Sequence, residues 1–482
     1  MMKAGFHSAD ITPIIGMEAP GDYRKAYVQA IHDPLKVRAA VFDDERCPIA
    51  LVGVDTCILP SDRSFIQRAR DAIEQRTGIP GANVLVAASH THSGGPFAWG
   101  LPPGEVEGAP KLVRELVQDH SIAADPRYCD WVEGQVMTAV CEAHRRRQPA
   151  RLSVGTGAAT GVAFNRRFRM RNGRVYTHPG KGNPDIIESA GPTDPAVAVI
   201  GGWSDDGDLL GCVVNFSCHC TTFGGAVSAD YVCYLEQLIQ AAHGESAEVV
   251  FLNGACGDVT QVDNQSTRES EFGEKWSRIV GTRVGAEALH VLASAPFGDL
   301  APLAVATETV PMRRRLPSAE RLEEARNRVL AGLADGARDT AWTFAKELVM
   351  LDYIAQVQPI VEVELQALQI GPAAFIANPA ELFCALGLRM KAGSPFPYTF
   401  VVELANGCVG YVPDAAAFAP GGGGYETVLT SYSSLQVGAG DILVERATAL
   451  LSKLAPSPPL ALPQVEWSGE AWSYGVLGPD LE

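Results

Sequence analysis

Three apolar runs in this chain break off into polar, glycine-rich turns, and two of those turns carry histidine. Val84–Ala88 leads into Ser89-His90-Thr91-His92-Ser93-Gly94-Gly95, Val213–Phe216 into Ser217-Cys218-His219-Cys220-Thr221-Thr222, and Val249–Leu252 into Asn253-Gly254-Ala255-Cys256-Gly257-Asp258-Val259-Thr260. A short, uncharged run rich in β-branched residues is the signature of a buried strand. The turn that follows sits at a sheet edge, where imidazoles leave the core.

Further apolar runs at 36–42, 49–54 and 196–203 join the ones at 83–88, 210–217 and 248–252, and helical patterns lie between several of them at 62–77, 128–147 and 230–243. Helix 62–77 has a start signal in Ser61 and stop signals in Gly78 and Pro80. The second half carries helical patterns at 274–293 and 319–354, a strand pair at 359–370 and 373–377 around Gly371-Pro372, and a helix from about 380 to 391. This order predicts an α/β fold of mixed β-sheets flanked by helices. The expected organisation is one unit over residues 1–455, with any subdivision near 300, and a proline-rich tail over 456–482 packed on the body. The run Pro420–Gly424 reads as a mobile loop.

Of the 482 residues 46% are apolar and 20% charged, a globular composition, and the formal charge of -17 argues against a nucleic-acid partner. The clearest basic patch, Arg166-Arg167-Phe168-Arg169-Met170-Arg171, is either a solvated hairpin edge or the source of a pocket arginine. Met1–Pro13 lacks the apolar core of a secretion signal, which predicts a cytoplasmic protein. Leu209–Ala229 is uncharged and long enough to cross a bilayer, but Asn215, Ser217, His219, Thr221 and Thr222 mark it as a buried strand and a loop. No transmembrane segment is expected, and homo-oligomerisation stays open. Eleven cysteines read as reduced core thiols, Cys218 and Cys220 among them, because alternation turns both away from His219.

Taken alone, His90 and His92 fit either a metal site or a hydrogen-bonded structural pair, and Gly257–Thr260 fits either a ligand loop or a tight turn with an Asx bond. The chain holds neither His-Glu-x-x-His nor the zinc-deaminase pattern.

Together the strand tips resemble the N-terminal catalytic domain of the neutral (alkaline, non-lysosomal) ceramidases, which are zinc amidases, over Ala9 to about Thr430. The most specific match is Ala88-Ser89-His90-Thr91-His92-Ser93-Gly94. The resemblance implies Zn²⁺ held by His90, by His219 in Asn215–Thr221, by Glu381 in Asn378-Pro379-Ala380-Glu381, and by Tyr425 in Tyr425-Glu426-Thr427. It also implies an acid–base role for His92, a substrate-facing Arg166 after Asn165, and Tyr411 or Arg166 as partner of a developing oxyanion. Thr260-Gln261 stands where the family shows Ser-Pro, so Thr260 takes the place of an active-site serine. The extra C-terminal sandwich module and the secretion signal of full-length ceramidases are expected to be missing. The function so implied is water-mediated hydrolysis of a small-molecule or lipid carboxamide. The alternatives are the same fold acting on a soluble amide, ester or lactone, or a non-catalytic zinc-stabilised binding protein.

Overall fold

The computed structural model describes residues 2–21, 23–97, 103–462, 464–467 and 469–482, with residues 103–105 by backbone only. Its first sheet runs in the order Val84–Ala88, Ile49–Val54, Lys36–Asp43, Lys3–Asp10, Gln148–Pro149. Only the pairing of Ile49–Val54 with Val84–Ala88 is parallel, and helix Ser64–Thr77 makes the crossover between them. That helix ends as expected, on a left-handed Gly78 whose N–H returns to the Glu74 carbonyl. Its N-cap is Arg63 rather than Ser61, and no side chain caps it.

A second sheet orders Glu248–Asn253, Leu209–Phe216, Ala196–Trp203, Arg151–Ala158 and Phe297–Gly298, with its first pair parallel. Leu303–Arg313, Ile360–Ile370, Ala373–Ala377 and Tyr398–Val402 make a third. Mixed sheets flanked by helices are therefore what forms, as the sequence predicts. Lys3–Asp10 carries too little apolar alternation to read as a strand, yet it is an inner strand of its sheet.

The helical pattern at 319–354 is two helices, Ala319–Asp335 and Thr340–Val357. Gly336 closes the first at φ 79° and Asp339 caps the second through the Trp342 amide. The helix expected from 380 starts at Cys384, because Glu381–Leu382 first pairs as a strand with Tyr411–Val412. Among the described residues no helix is long and apolar enough to cross a membrane. In the tail, Leu460 packs against the core, while Val465, Trp467, Trp472 and Leu477 are exposed.

Period-2 alternation sorts the side chains. Ala40 and Phe42 turn toward a core shared by all three sheets, where they meet Leu85, Ile200, Val213, Val250, Leu368 and Phe375. Val37, Ala39 and Val41 face the other way, into the layer that holds Phe65 and Val132 of the covering helices. The first two sheets meet almost backbone to backbone at Gly53, where a Cβ would stand 2.4 Å from the Phe251 carbonyl oxygen. This close approach brings the ends of Val84–Ala88, Leu209–Phe216 and Glu248–Asn253 to one place.

Gly53→Ala should therefore destabilise the protein by about 1–3 kcal/mol, the range for overpacking a filled interior. Gly134→Ala, in helix Pro126–Arg145 with open space around the added carbon, should instead stabilise it by about 0.5–1 kcal/mol. Denaturant midpoints of the two variants, measured side by side, check both signs.

Candidate metal centre and active site

The strand tips are tied to one another through their backbones. The His92 amide donates to the Cys220 carbonyl, Thr91 bridges Cys220, and the His219 amide donates to Val259. His90 ends its strand in the left-handed region, at φ 67°, a conformation uncommon for a residue with a Cβ. Its ring is buried and its Nδ1 lies 2.7 Å from the Cys57 carbonyl oxygen. His219 is built alike, buried, with Nδ1 2.8 Å from the Cys256 carbonyl oxygen and 3.2 Å from that of Val259. A carbonyl only accepts, so each Nδ1 carries the proton and each Nε2 presents a lone pair.

Both Nε2 atoms face Glu381. Its Oε2 lies 3.3 Å from His90 Nε2 and 3.2 Å from His219 Nε2, and it is buried with no hydrogen-bond partner. The other oxygen, Oε1, accepts from the Tyr432 hydroxyl at 2.6 Å. The contacts at Oε2 are thus ion-pair distances without an aimed N–H. Two edges of this triangle are 3.2–3.3 Å and all three atoms lie within 4.8 Å of one another, close enough to be bridged by a cation whose bonds to nitrogen and oxygen are about 2.0–2.2 Å. The three residues fit a divalent cation, and the orphaned carboxylate oxygen marks where one belongs.

Electrostatics agree. Burial pushes His219 well down, and Arg166 and His90 add to that push. Burial also opposes charge on His90, but the Glu381 carboxylate holds its pKa well above the usual imidazole value. Glu381 is itself well below the usual carboxylate range in spite of burial, because His90 and His219 favour its charge. A proton on His90 and a metal on His90 therefore compete for one lone pair.

His92 is only partly buried. Its Nε2 is 3.4 Å from His90 Nε2 and its Nδ1 is 3.2 Å from the Gly21 carbonyl oxygen. Cys57, His90 and His92 form a second group of ligand-capable atoms within 4.8 Å of one another. In it, burial works against the Cys57 thiolate but the two imidazoles outweigh it and bring the thiol to about 6. His90 Nδ1 is already spent on the Cys57 carbonyl, which leaves its free nitrogen to the Glu381 side.

Arg166 is buried and serves five partners. Nε donates to Glu426 at 2.8 Å, Nη1 lies 3.1 Å from His219 Nε2, and Nη2 reaches the Gly257 carbonyl, the Tyr411 hydroxyl and the Tyr425 hydroxyl at 2.8, 3.1 and 3.0 Å. Of the basic patch, Arg166 and Arg167 are buried, whereas Arg169 and Arg171 are exposed and pair with Glu188 and Asp185. The Tyr411 and Tyr425 hydroxyls are 2.5 Å apart. Burial raises both phenols and Arg166 opposes this. The structure thus brings Arg166, Tyr411 and Tyr425 to the rim of the metal group. Thr260 is far from them in sequence and is buried in a short strand paired with Phe164–Asn165, next to Arg166. Its hydroxyl accepts from the Val262 amide at 3.3 Å.

The glycine run before Tyr425, expected to be mobile, is tethered. Arg167 donates to the Gly423 carbonyl at 2.7 Å and Gly423 donates to Ala417 at 2.9 Å. Sequence reasoning missed three supports. Glu403 is buried, accepts the amides of Cys256 and Leu382 at 2.9 and 3.1 Å, and so joins the His219 and Glu381 loops. Burial raises it to about 8. The only signal was a carboxylate at the end of the apolar run Phe400-Val401-Val402. Glu426 and Tyr432, which hold Arg166 and Glu381, carried no signal apart from their partners.

No protein-family model and no curated protein matches the sequence. Solved structures do. A neutral ceramidase from Pseudomonas aeruginosa aligns with a TM-score of 0.66 at 20% identity, covering 96% of this chain and 76% of that one. A ceramidase complexed with C2 aligns with a TM-score of 0.67 at 17% identity, covering 96% and 77%. The fold is that of the neutral ceramidases. Within this ceramidase fold, His90, His219 and Glu381 are the group whose spacing suits a metal.

Because a metal displaces the proton that Glu381 draws to His90, binding of Zn²⁺ to metal-free protein near pH 7 should release about one proton and strengthen as pH rises. Calorimetry in buffers of different ionisation enthalpy measures this, and Glu381→Gln should lose most of the affinity. Gly21 yields a second expectation. It sits at φ 110°, and a Cβ there would be 2.9 Å from the His92 carbonyl oxygen and 3.1 Å from Nδ1. Gly21→Ala should move the His92 ring, leave bound metal unchanged, and lower turnover by about 10²-fold, the scale of a lost proton carrier. Metal content and steady-state rates of the same preparation decide it.

Proposed function

We propose that this protein is a zinc-dependent hydrolase that cleaves a carboxamide with water as the nucleophile. The observation that carries the reading is the buried trio His90 Nε2, His219 Nε2 and Glu381 Oε2, three ligand-capable atoms gathered at one place. Nitrogen and oxygen donors in this number suit Zn²⁺ with a position left open. When bound, Zn²⁺ supplies Lewis acidity to an amide carbonyl and to water. The two solved structures described above are ceramidases, and this likeness supports amide cleavage as the chemistry.

The residues then divide the work. His92, anchored at Nδ1 by Gly21, takes a proton from the attacking water and passes it to the departing nitrogen. Arg166 and Tyr411 hold N–H and O–H donors toward the negative charge that develops on the carbonyl oxygen. Tyr425 completes the protein donors to the metal, its phenol losing its proton only against a cation. Thr260, in the place of the family's active-site serine, keeps a hydroxyl on the loop that presents the Gly257 carbonyl to Arg166. Residues 1–455 form the catalytic unit and 456–482 a tail upon it.

The zinc-loaded protein should release free amine from an N-acyl amine, and His90→Ala should abolish zinc and hydrolysis together. Stoichiometric zinc without cleavage of any amide would make the chain a zinc-stabilised binding protein. Cleavage of esters or lactones alone would leave the fold and metal in place and change the bond attacked. Zinc retained by His90→Ala would refute the ligand assignment.

A further inference from the structure

His92 also lines a cavity of about 440 Å³. Ala19, Pro20 and Lys25–Gln29 form one wall and Gly224–Val227 the other, and the exposed Gln29, Gly224 and Gly225 leave it open to solvent. The first wall is a hairpin closed by hydrogen bonds from Ala19 to Ala26 and from Val28 to Met17, and its tip carries the Gly21 carbonyl that His92 uses. Lys346, buried in helix Thr340–Val357, fixes the same tip through the Tyr23 carbonyl at 2.9 Å. The cavity is thus held at a set distance from the imidazole.

We propose that this cavity receives the amine half of the substrate, and that this half is a compact, uncharged polar group rather than a long alkyl chain. The inference rests on the amide-hydrolase reading above. In amide hydrolysis the oxygen of water bonds to the acyl carbon, the carbon–nitrogen bond breaks, and both protons of the water leave the new carboxylate or join the departing amine: R–CO–NH–R′ and water give R–COO⁻ and R′–NH₃⁺. The group that delivers a proton to nitrogen must stand within hydrogen-bond reach of it. His92 therefore has R′ on its own side, and the space on that side is this cavity.

The walls define what R′ is. Gln29, Ser93 and the exposed backbone of Gly224 and Gly225 offer hydrogen bonds, interleaved with Ala19, Tyr27 and Val227. An alkyl chain laid across them would strip water from these groups and return no hydrogen bond, at about 1–3 kcal/mol for each one left unpaired. Lys25 adds no demand for an anion, because Glu18 at 2.7 Å and the Gln118 carbonyl at 2.5 Å already hold its ammonium. In size, 440 Å³ corresponds to roughly fifteen waters at about 30 Å³ each.

The test uses the zinc-loaded full chain and amides that share one acyl group while the amine varies: ammonia, ethanolamine, serinol, propylamine, hexylamine and a C18 amino alcohol. Ethanolamine and serinol amides should exceed the propylamine and hexylamine amides in kcat/KM by about tenfold or more, and the C18 amide should be the poorest. A preference for the C18 amide, or equal rates for polar and alkyl amines, overturns the proposal while leaving amide hydrolysis intact. No cleavage of any member overturns the amide reading and this inference with it. Gly224→Trp provides the control on location, since Gly224 lines the cavity and a Cβ there meets nothing within 4 Å. It should shift selectivity toward the ammonia amide by about tenfold or more with zinc content and melting temperature preserved. Unchanged selectivity in that variant would place R′ elsewhere.

Discussion

Two imidazole nitrogens and one carboxylate oxygen are pressed together in the interior, and the surrounding chain is arranged to hold them there. Polar atoms cut off from water need a positive charge among them, which a proton drawn to His90 by Glu381 supplies in the absence of a metal. Each ring is prevented from turning away by its Nδ1 bond to a backbone carbonyl, Cys57 for His90 and Cys256 for His219. His90 further keeps a left-handed backbone, a strained conformation that persists only where its surroundings over-determine it. The backbone turn at His90 and the Nδ1 bonds of both rings point the two Nε2 atoms at one centre, beside Glu381.

How much of this could be read in the sequence depended on where each partner lies along the chain. His90 and His219 were visible because each follows a strand whose apolar run ends within a residue or two of it. The strands themselves were visible for the same reason, since alternate burial leaves a period in the sequence. Glu381 was visible only through a family resemblance, because a carboxylate in a turn looks like any solvated turn. Glu403 was invisible in function, as its two anchoring amides belong to Cys256 and Leu382, 147 and 21 residues away. Lys3–Asp10 was missed as a strand because its place in the sheet is set by neighbours on both edges rather than by its own side chains. Gly336 splits a continuous helical pattern because a left-handed residue ends a helix whatever the periodicity around it.

Arg166 shows why a run of like residues cannot be read as a unit. Arg169 and Arg171 meet solvent and the acidic residues of the Ile186–Ser189 strand and the turn before it, while Arg166 is drawn inside by the strand's turn toward Val259. Asp258 sets that turn. Its backbone oxygen accepts from the Arg166 amide, and its carboxylate holds the Asn165 side chain and the Cys384 amide. Once inside, the guanidinium distributes its donors among Glu426, Gly257 and two phenols, a use for which the planar fork is suited and an ammonium is not. The third strand tip thereby contributes to the site without supplying a ligand, by placing the cation that polarises the two tyrosines.

The two histidines of the first tip end with different tasks because their surroundings differ, although the motif presents them as a pair. A metal ligand must keep its proton off the coordinating nitrogen and water away from the bond, and His90 is buried at 1% exposure with its other nitrogen committed. A proton carrier must exchange with solvent or substrate at every turnover, and His92 is only partly buried and borders the open cavity. Their Nε2 atoms are 3.4 Å apart, so His92 stands beside the buried trio while keeping one edge toward the cavity. The strand break at His90 produces this division. Had the strand continued, both rings would have shared one face and one environment.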